Sequence, residues 1–401
     1  MSKISYETSQ NMLALIPMGS MRSERVFLSD ALGRILADDI IAQEDYPLRP
    51  TSAMDGYAVL HEDLHPDASL NILGDNPAGS DETGKVYGGV CIKTFTGSVM
   101  PEGADTLVPI ENVRVEGECI IIEKPVHKGF AVRPVGESYS EGEVIIAKGT
   151  RIEFAQIGVL AGMNRVMIPV VQRPRVAVIA TGSEILDIGE SQRHPGQIRS
   201  SNSYTLEALI RQLGGECVQM GIVGDDRKAI AERFEEALHS ADIVVSTGGV
   251  SVGDYDFVKH IVPKLGAEVI FRGVNLKPGQ HVMLAQRGEK FIVSLPGFAY
   301  SSTVTFVLYV APLMARMMGV ENLFETVEAT LRVPFVKRSD KSEFIACNLM
   351  FEEGQYRVDF NGKKSGSSAI LTNLLGSSGL MICGEEDGEL EAGTQVRVIK
   401  L

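Results

Sequence analysis

Residues 174–320 alternate short, β-branched apolar runs with segments of helical periodicity, and this alternation constrains the fold more than any other feature. Apolar residues recur at helical spacing from Leu206 to Leu213 and again from Ile230 to Ala241. The runs with the composition of buried strands are 175–180, 217–223, 242–246, 268–274 and 291–295. The pattern predicts a doubly wound, parallel α/β domain.

The third of these strands is followed by an unusual turn, within ADIVVSTGGVSVGDYDF (241–257). The residues that could bind a ligand there are Ser246, Thr247, Gly248, Gly249, Ser251 and Gly253. Glycines let the backbone approach a ligand closely, and hydroxyls add hydrogen-bond donors, so the turn suits an anion such as phosphate. Asp254 and Asp256 could hold Mg²⁺ against that anion or cap the next helix. A glycine-rich turn with capping acids explains the same residues, and both interpretations stay open.

Polar residues also follow the neighbouring strands. Thr181, Gly182 and Glu184 follow the first strand, and Asp225 and Asp226 follow the second. Because ligands of open α/β sheets bind beyond the carboxyl ends of the strands, we expect these groups to meet in one crevice. Each acid taken singly is explained as a helix cap, but acids at three successive strand ends favour a phosphate and metal site.

The rest of the chain predicts other layers. Two helical patterns lie within 7–41, at Met12–Ile16 and Val26–Leu36. Residues 70–134 are glycine-rich with short β-branched runs, which predicts an inserted all-β domain. The tail, 328–401, has strand-like runs typical of a second β domain.

Composition limits the class of function. The chain has 38 basic and 52 acidic residues, so a general surface for nucleic acid or an anionic membrane is not expected. Five scattered cysteines without a CxxC pair argue against a zinc site or disulfide framework and fit a reducing cytoplasm. The first residues lack the pattern of a signal peptide, and the apolar run Val304–Ala315 predicts a buried helix.

Two motifs suggest other chemistry. Residues 249–253 fit the G-x-S-x-G elbow of serine hydrolases, with Ser251 as nucleophile, but Thr247, Gly248 and Gly249 intervene between the strand end and the serine. Only His260 and His281 follow as candidate bases, which leaves little room for a separate acid strand. Residues 79–85 copy the spacing of a P-loop, but Val86 stands where a Mg²⁺-binding hydroxyl belongs.

The ordered motifs together resemble the molybdopterin molybdenumtransferase family, which includes bacterial MoeA and the E domain of gephyrin. The motifs are SAMDGYAV (52–59), TFTGSVMPEGAD (94–105), TGSE (181–184), STGGVSVGDYDF (246–257) and LKPG (276–279). The resemblance implies a segmented linker domain (1–44 and 135–173), an inserted β domain (45–134), a molybdopterin-binding α/β domain (174–327) and a C-terminal β barrel (328–401).

It also implies an activity. Family members are dimers that convert adenylylated molybdopterin and molybdate to molybdenum cofactor and AMP with Mg²⁺. The implied partners, beyond the small-molecule substrates, are molybdopterin adenylyltransferase and molybdoenzymes, without nucleic acid or membrane, in the cytoplasm.

The resemblance carries functional roles onto particular residues. The implied catalytic residues are Asp55, Thr96, Glu184, Asp226 and Asp256, and the implied metal ligands are Glu184, Asp225, Asp226 and Asp256. The implied cofactor-binding residues are Thr181, Gly182, Ser246, Thr247, Gly248, Gly249, Ser251, Gly253, Lys277, Pro278 and Ser301. Each active site is expected to draw Asp55 from one subunit and Asp256 from the other.

The chain departs from the family pattern at a few positions. These are Ser138, Gln280, His281, Phe298, Ala299 and Ala346, where the family commonly has an acid, a lysine, a proline, an asparagine, a second proline and an arginine. They cluster where the family holds molybdate and largely spare the acids. The alternative hypothesis is therefore a non-catalytic or altered-oxyanion homologue that binds molybdopterin or a protein partner.

Overall fold

A computed structural model describes residues 3–19, 22–80, 84–251, 256–337, 339–364 and 367–401. The chain forms two compact units. The first comprises Met1–Ala37, Arg151–Glu153 and Met167–Leu401, and the second comprises Asp38–Thr150 and Phe154–Val166. The four-part division expected from the resemblance stays a prediction, whereas the mixed α/β and all-β fold class is confirmed.

A six-stranded sheet is the centre of the first unit. Its spatial order is Glu216–Val223, Arg175–Thr181, Ile243–Thr247, Lys290–Leu295, Met283–Arg287 and Glu268–Arg272. The first four strands are parallel, and the last two add an antiparallel edge. The strand Met283–Arg287 was not predicted, because its sequence MLAQR lacks β-branched residues. The sheet is therefore doubly wound and parallel at its centre and antiparallel at one edge.

Helices cover both faces of this sheet, because successive side chains of a buried strand point to opposite faces. On one face, Val176 and Val178 pack with Leu206 and Ile210 of the helix Ser201–Gln212. On the other face, Ala177 and Ile179 belong to the core formed with the helix Arg227–Ser240. The covering helices are Ser201–Gln212, Arg227–Ser240, Val258–Ile261 and the continuous run Ala299–Thr305, Phe306–Val310 and Ala311–Met318.

The helix Ala299–Met318 has the length and mean hydropathy, 1.2, of a membrane span, but 83% of its apolar window is buried within the fold. It is therefore a core helix, as predicted for Val304–Ala315. Its middle turn, Phe306–Val310, is π-helical and precedes Pro312. Proline has no N–H to offer the carbonyl four residues earlier, and the Leu308 carbonyl accepts a hydrogen bond from Gln10 Nε2 at 3.2 Å.

The N-terminal part of the first unit differs from the prediction. Helix Tyr6–Leu15 forms as expected and is capped by the Ser5 hydroxyl. The predicted helix at Val26–Leu36 is wrong: Ser23–Phe27 is a strand paired with Met167–Val171, followed by a 3₁₀ turn at Leu28–Asp30. Gly33 has a φ of +75°, a left-handed conformation that ends any helix there.

The C-terminal part closes into a five-stranded barrel. The long strand Ser342–Glu352 pairs with neighbours on both sides and thereby closes the ring. Around the ring the strands are Ser342–Glu352, Gln355–Asp359, Thr326–Leu331, Gln395–Lys400 and Ser378–Cys383. Two further strands, Val274–Lys277 and Ile4–Ser5, extend the sheet beyond Ser342–Glu352. The predicted strand 268–274 therefore ends at Arg272, and the chain then changes sheets.

The second unit contains the predicted all-β domain. Its six-stranded sheet has the order Thr106–Pro109, Gly56–Val59, Val90–Thr94, Ser69–Asn76, Cys119–Ile122 and Val113–Glu116. Tyr57, Leu70, Val108 and Ile120 form its core. The unit also has two small ladders, Thr51–Ser52 with Val132–Arg133 and Ile40–Ile41 with Val144–Ile146, and the helix Phe154–Gly162.

Candidate functional site

A cavity of about 1080 Å³ lies at the carboxyl ends of the parallel strands of the first unit. Every one of the four parallel strands contributes a loop to its wall. The lining residues that the sequence singled out are Thr181, Gly182, Glu184, Asp225, Thr247, Gly248, Gly249, Ser251, Asp256 and Ser301. The fold therefore brings most of the predicted acids, hydroxyls and glycines of this unit to one place, as expected for strand ends in an open sheet.

The glycine turn after Ile243–Thr247 is held from both neighbouring strands. The Gly248 N–H donates to the Leu295 carbonyl at 3.1 Å, and the Thr181 hydroxyl donates to the Thr247 carbonyl at 3.1 Å. Gly248 has a φ of +91°, and a Cβ added there would lie 2.8 Å from the Thr181 carbonyl oxygen. Only glycine fits this turn, which brings the backbone to the cavity wall. Gly253 and Asp254 lie outside the described residues.

The acids after the first two strands have different environments. Asp225 accepts a hydrogen bond from the Ser183 N–H at 3.1 Å, and its own N–H donates to the Ser183 hydroxyl at 3.0 Å, which ties the two loops together. Asp226 caps the helix Arg227–Ser240 by accepting from the Ala229 N–H at 2.8 Å. Asp226 is not part of the cavity wall, whereas Glu184, Asp225 and Asp256 are.

The carboxylates of the cavity wall could hold a hard divalent cation such as Mg²⁺. Within the described residues, no three His, Cys, Asp or Glu side chains already form a cation site. Mg²⁺ commonly uses only one or two protein carboxylates and takes its other oxygens from water and substrate phosphates. The carboxylates of Glu184, Asp225 and Asp256 fit that donor chemistry once a phosphate is bound.

Another cavity edge is built by the turn after Val274–Lys277. Gln280 and His281 line the cavity, whereas Lys277 lies outside its wall and forms an ion pair with the buried Glu343 at 3.2 Å. Burial, followed by the positive charge of Lys3, lowers the pKa of His281 below its usual range.

Two further predicted cofactor-binding residues are not part of the described cavity wall. The peptide bond before Pro278 is cis, and Pro278 does not line the cavity. Ser246 is fully buried behind the cavity.

One segment of the cavity wall, at the start of the helix Ser201–Gln212, was not predicted from the sequence. Arg199, Ser200, Ser201 and Asn202 all line the cavity, and Asn202 Nδ2 donates to the Gly297 carbonyl at 2.8 Å. Serines directly before a helical stripe are a helix-start signal, and that signal at 200–201 could have revealed the segment. Phe298 and Ala299, two of the departures from the family pattern, also line the cavity.

Asp55 and Thr96 belong to the second unit. Asp55 lies in the turn before strand Gly56–Val59, where its Oδ1 accepts from the Thr96 hydroxyl at 2.7 Å and from the Thr96 N–H at 2.8 Å. These bonds, the hydroxyl first, lower the pKa of Asp55. Asp55 is thus an exposed carboxylate fixed in one orientation. The expectation that Asp55 and Asp256 serve the same active site stays a prediction.

This arrangement gives a direct test of the Thr96 hydroxyl. In Thr96→Val we expect the pKa of Asp55 to rise towards its ordinary value, because the larger of the two stabilising hydrogen bonds is lost and the backbone bond remains. Asp55 would then hold its proton to a higher pH. An NMR titration of the Asp55 carboxyl measures the change, and Thr96→Ser, which keeps the hydroxyl, is the control. An equal pKa in Thr96→Val and wild type would contradict the assignment.

Two other departures are not among the residues of the described cavity wall. Ser138, in the second unit, lies 3.4 Å from Arg133 Nη2, which can donate to its hydroxyl. Ala346 is buried in the barrel strand Ser342–Glu352, and its N–H donates to the Tyr300 hydroxyl at 2.8 Å. Neither substitution therefore changes a residue of the described cavity wall.

Three family models match the chain in order. The MoeA N-terminal region (domain I and II) matches residues 4–163, a probable molybdopterin binding domain matches 177–316, and the MoeA C-terminal region (domain IV) matches 328–401. Together they match most of both compact units.

Individual relatives agree with these models. A molybdopterin molybdenumtransferase of Nostoc sp. is 34% identical, covering 98% of this chain and 93% of its own length. One from Staphylococcus aureus is 32% identical, covering 95% and 91%. The crystal structure of a molybdopterin biosynthesis MoeA protein from Pyrococcus horikoshii superposes with a TM-score of 0.84 at 29% identity, with both chains fully covered. The resemblance in the motifs is confirmed over the whole chain, and the protein belongs to the molybdopterin molybdenumtransferase family.

Proposed function

We propose that this protein is a molybdenum insertase, which takes adenylylated molybdopterin and molybdate and releases molybdenum cofactor and AMP. Its relatives are named molybdopterin molybdenumtransferases, which supports a transferase role in molybdenum cofactor biosynthesis. The observation that carries the proposed substrate and reaction is the cavity of the first unit, whose wall contains both a glycine turn and three carboxylates. A phosphate-binding turn beside carboxylates suits a substrate with a pyrophosphate-type bond.

We assign each residue of the proposed site a role that fits its chemistry. The turn at Gly248 and Gly249 brings the backbone close to the pterin phosphate, and the Gly249 N–H and the Ser251 hydroxyl bind and orient it. Thr181 packs against the turn, and Gly182 lines the same cavity. Ser301, which is buried and lines the cavity, offers a hydroxyl to the oxyanion. In this proposal Lys277 contributes positive charge, although Glu343 neutralises part of it.

Glu184, Asp225 and Asp256 would hold Mg²⁺, with Asp226 nearby in sequence. When bound, the cation supplies positive charge that screens the phosphate oxygens. Asp55, fixed by Thr96, is the carboxylate that the second unit contributes to the reaction in this proposal.

The assay that tests the proposal uses purified protein, adenylylated molybdopterin, Mg²⁺ and molybdate. We expect AMP to be released and to disappear when EDTA replaces Mg²⁺, because without a cation the carboxylates of the cavity wall would repel the phosphate oxygens. AMP release is followed by chromatography, with heat-denatured protein as the blank. Release of no AMP with molybdate or tungstate would overturn the proposal.

A second candidate function is favoured by the altered residues in the same wall. Gln280, His281, Phe298 and Ala299 all line the cavity at positions where the family commonly differs. A homologue that binds molybdopterin or a protein partner without inserting molybdenum would release no AMP but would still bind molybdopterin, which fluorescence titration can measure. A serine hydrolase using Ser251 has less support, because family membership accounts for the glycine turn.

We propose that the protein is a homodimer, as expected from the resemblance. Helix Phe154–Gly162 supports this, because its sequence FAQIGVLAG is almost wholly apolar and yet only Leu160 is buried. Phe154 is 84% exposed and Val159 is 38% exposed. An apolar helix face left open in one chain is typical of a subunit contact, and a second copy supplies the same face by twofold symmetry.

Val159→Glu tests that contact. A charge in an apolar interface must be desolvated, so we expect the dimer dissociation constant to rise at least about tenfold. Light scattering after size-exclusion chromatography over a range of concentrations measures the change. Val115→Glu, an exposed valine on strand Val113–Glu116 of the same unit, is the matched control and should stay dimeric. A dimer equally stable in Val159→Glu would place the subunit contact elsewhere.

The proposed partners and location follow from the reaction. The substrate is adenylylated, so a molybdopterin adenylyltransferase is the candidate supplier, and molybdoenzymes are the candidate recipients of the product. All five cysteines are free thiols, which supports a reducing compartment such as the cytoplasm.

A further inference from the structure

The Gln280 side chain is held between two lysines from distant parts of the chain. Strand Val274–Lys277 pairs on one side with Ile4–Ser5 and on the other with Ser342–Glu352. Lys3 and Lys341 directly precede those two flanking strands. Lys3 Nζ donates to Gln280 Oε1 at 2.8 Å, and Lys341 Nζ donates to the same oxygen at 2.9 Å.

These contacts determine how the Gln280 amide is oriented. An ammonium group is only a donor, so the amide atom between the two lysines must be the oxygen. The amide nitrogen then faces His281, with Gln280 Nε2 3.1 Å from His281 Nε2. Because an amide NH₂ is only a donor, His281 Nε2 must accept, and the ring proton must lie on Nδ1.

The same contacts oppose a charged His281. An imidazolium ring would place an Nε2–H donor against the Gln280 NH₂ donor, with two ammonium groups close behind. The pKa of His281 agrees with this, because burial and the charges of Lys3, Arg272 and Lys341 lower it, while Asp256 acts in the opposite direction. Burial is the largest of these effects.

We propose that Lys3 and Lys341 are positioning residues for the oxyanion substrate. By holding Gln280 they keep His281 as the neutral Nδ1–H tautomer in the cavity wall, where it offers an uncharged hydrogen-bond donor to molybdate. Neither lysine is part of the described wall, so both act through Gln280. This inference rests on the proposed function. It explains how a chain with glutamine at 280 recognises an anion: Lys3 and Lys341 supply positive charge directly behind Gln280, which itself lines the cavity.

The first test observes the tautomer directly and needs no turnover. Protein labelled with ¹⁵N in its histidine rings is compared with His281→Asn, which identifies the His281 signals. We expect wild type to show protonated Nδ1 and unprotonated Nε2 at neutral pH. The double variant Lys3→Met, Lys341→Met should lose this single tautomer, because its Gln280 amide can rotate. A wild-type His281 protonated at Nε2, or at both nitrogens, would overturn the proposal.

The second test measures molybdate recognition. We expect the double variant to raise the KM for molybdate about tenfold while kcat changes less than about twofold, as expected for lost binding contacts of this kind. Lys341→Arg, which keeps a charged donor, should stay nearer to wild type than Lys341→Met. The matched control for lost charge is Lys228→Met, whose side chain is 86% exposed on the helix Arg227–Ser240. An unchanged KM in the double variant would contradict the proposal.

The two proposals can fail separately. If wild type releases no AMP, the insertase proposal fails, and calorimetric titration with molybdate alone replaces KM in wild type and the double variant. Equal molybdate affinity in the two proteins, or the wrong His281 tautomer, would then overturn the positioning role by itself. Unfolding of the double variant is checked by its melting temperature, and Lys3→Gln with Lys341→Gln is the milder pair to use in that case.

Discussion

In Glu184→Gln we expect AMP release to fall about 10²-fold or more, with a melting temperature close to that of wild type. Glu184 lines the cavity, and it follows strand Arg175–Thr181 without capping a helix. A carboxylate that holds a cation or orients water contributes a factor of this size, whereas a lost helix cap costs only about 0.5–2 kcal/mol of stability. Single-turnover AMP release and thermal unfolding measure the two quantities separately.

Glu216→Gln is the matched control for this variant. Glu216 belongs to the same unit, its side chain is 54% exposed, and it pairs with Arg175 outside the cavity. Its loss should leave AMP release near wild type. If Glu184→Gln instead lowers the melting temperature and leaves AMP release unchanged, Glu184 is structural and its functional assignment is wrong.

Gly248→Ala is expected to have the second large effect, on both stability and substrate binding. The added Cβ would lie 2.8 Å from the Thr181 carbonyl oxygen and 3.0 Å from its hydroxyl, at a φ of +91° that alanine rarely adopts. The contact is with backbone, so the turn itself must move, at a cost of about 1–3 kcal/mol. We expect molybdopterin affinity and AMP release to fall at least about tenfold.

Gly288→Ala separates backbone strain from the steric effect. Gly288 also has a positive φ, +61°, but no atom lies within 4 Å of an added Cβ. This variant should lose some stability and keep wild-type affinity for molybdopterin, measured by fluorescence titration. If both variants bind molybdopterin equally well, the Gly248 turn does not hold the substrate.

Local sequence was sufficient for the centre of the fold. Four of the five residues of Ile243–Thr247 are β-branched and all five are buried, and this strand and the following glycine turn were predicted from the local sequence. The helix predicted at Val26–Leu36 was wrong because apolar spacing did not reveal the left-handed Gly33 or the pairing of Ser23–Phe27 with Met167–Val171. The change of sheet after Arg272 was also missed, because it depends on which distant strand offers a free edge.

In the candidate site too, some residues could be predicted from local sequence, and others depend on tertiary contacts. Glu184 and Asp225 could be placed because parallel strands end at a common edge, a rule that needs only the order of the strands. The helix-capping role of Asp226 was foreseen as an alternative for any single acid. The contacts of Gln280 could not be predicted, because Lys3 lies 277 residues away and Lys341 lies 61 residues away in sequence. Only tertiary pairing brings those lysines to the turn.

We propose that this chain couples cleavage of the adenylate to insertion of molybdenum. The most direct measurement follows AMP and molybdenum cofactor together in a single turnover, with the cofactor detected by activation of a molybdoenzyme that lacks it. We predict one cofactor for each AMP, with neither product formed when Mg²⁺ or the oxyanion is omitted. AMP released without cofactor in the presence of molybdate, or cofactor formed without AMP, would contradict this coupling.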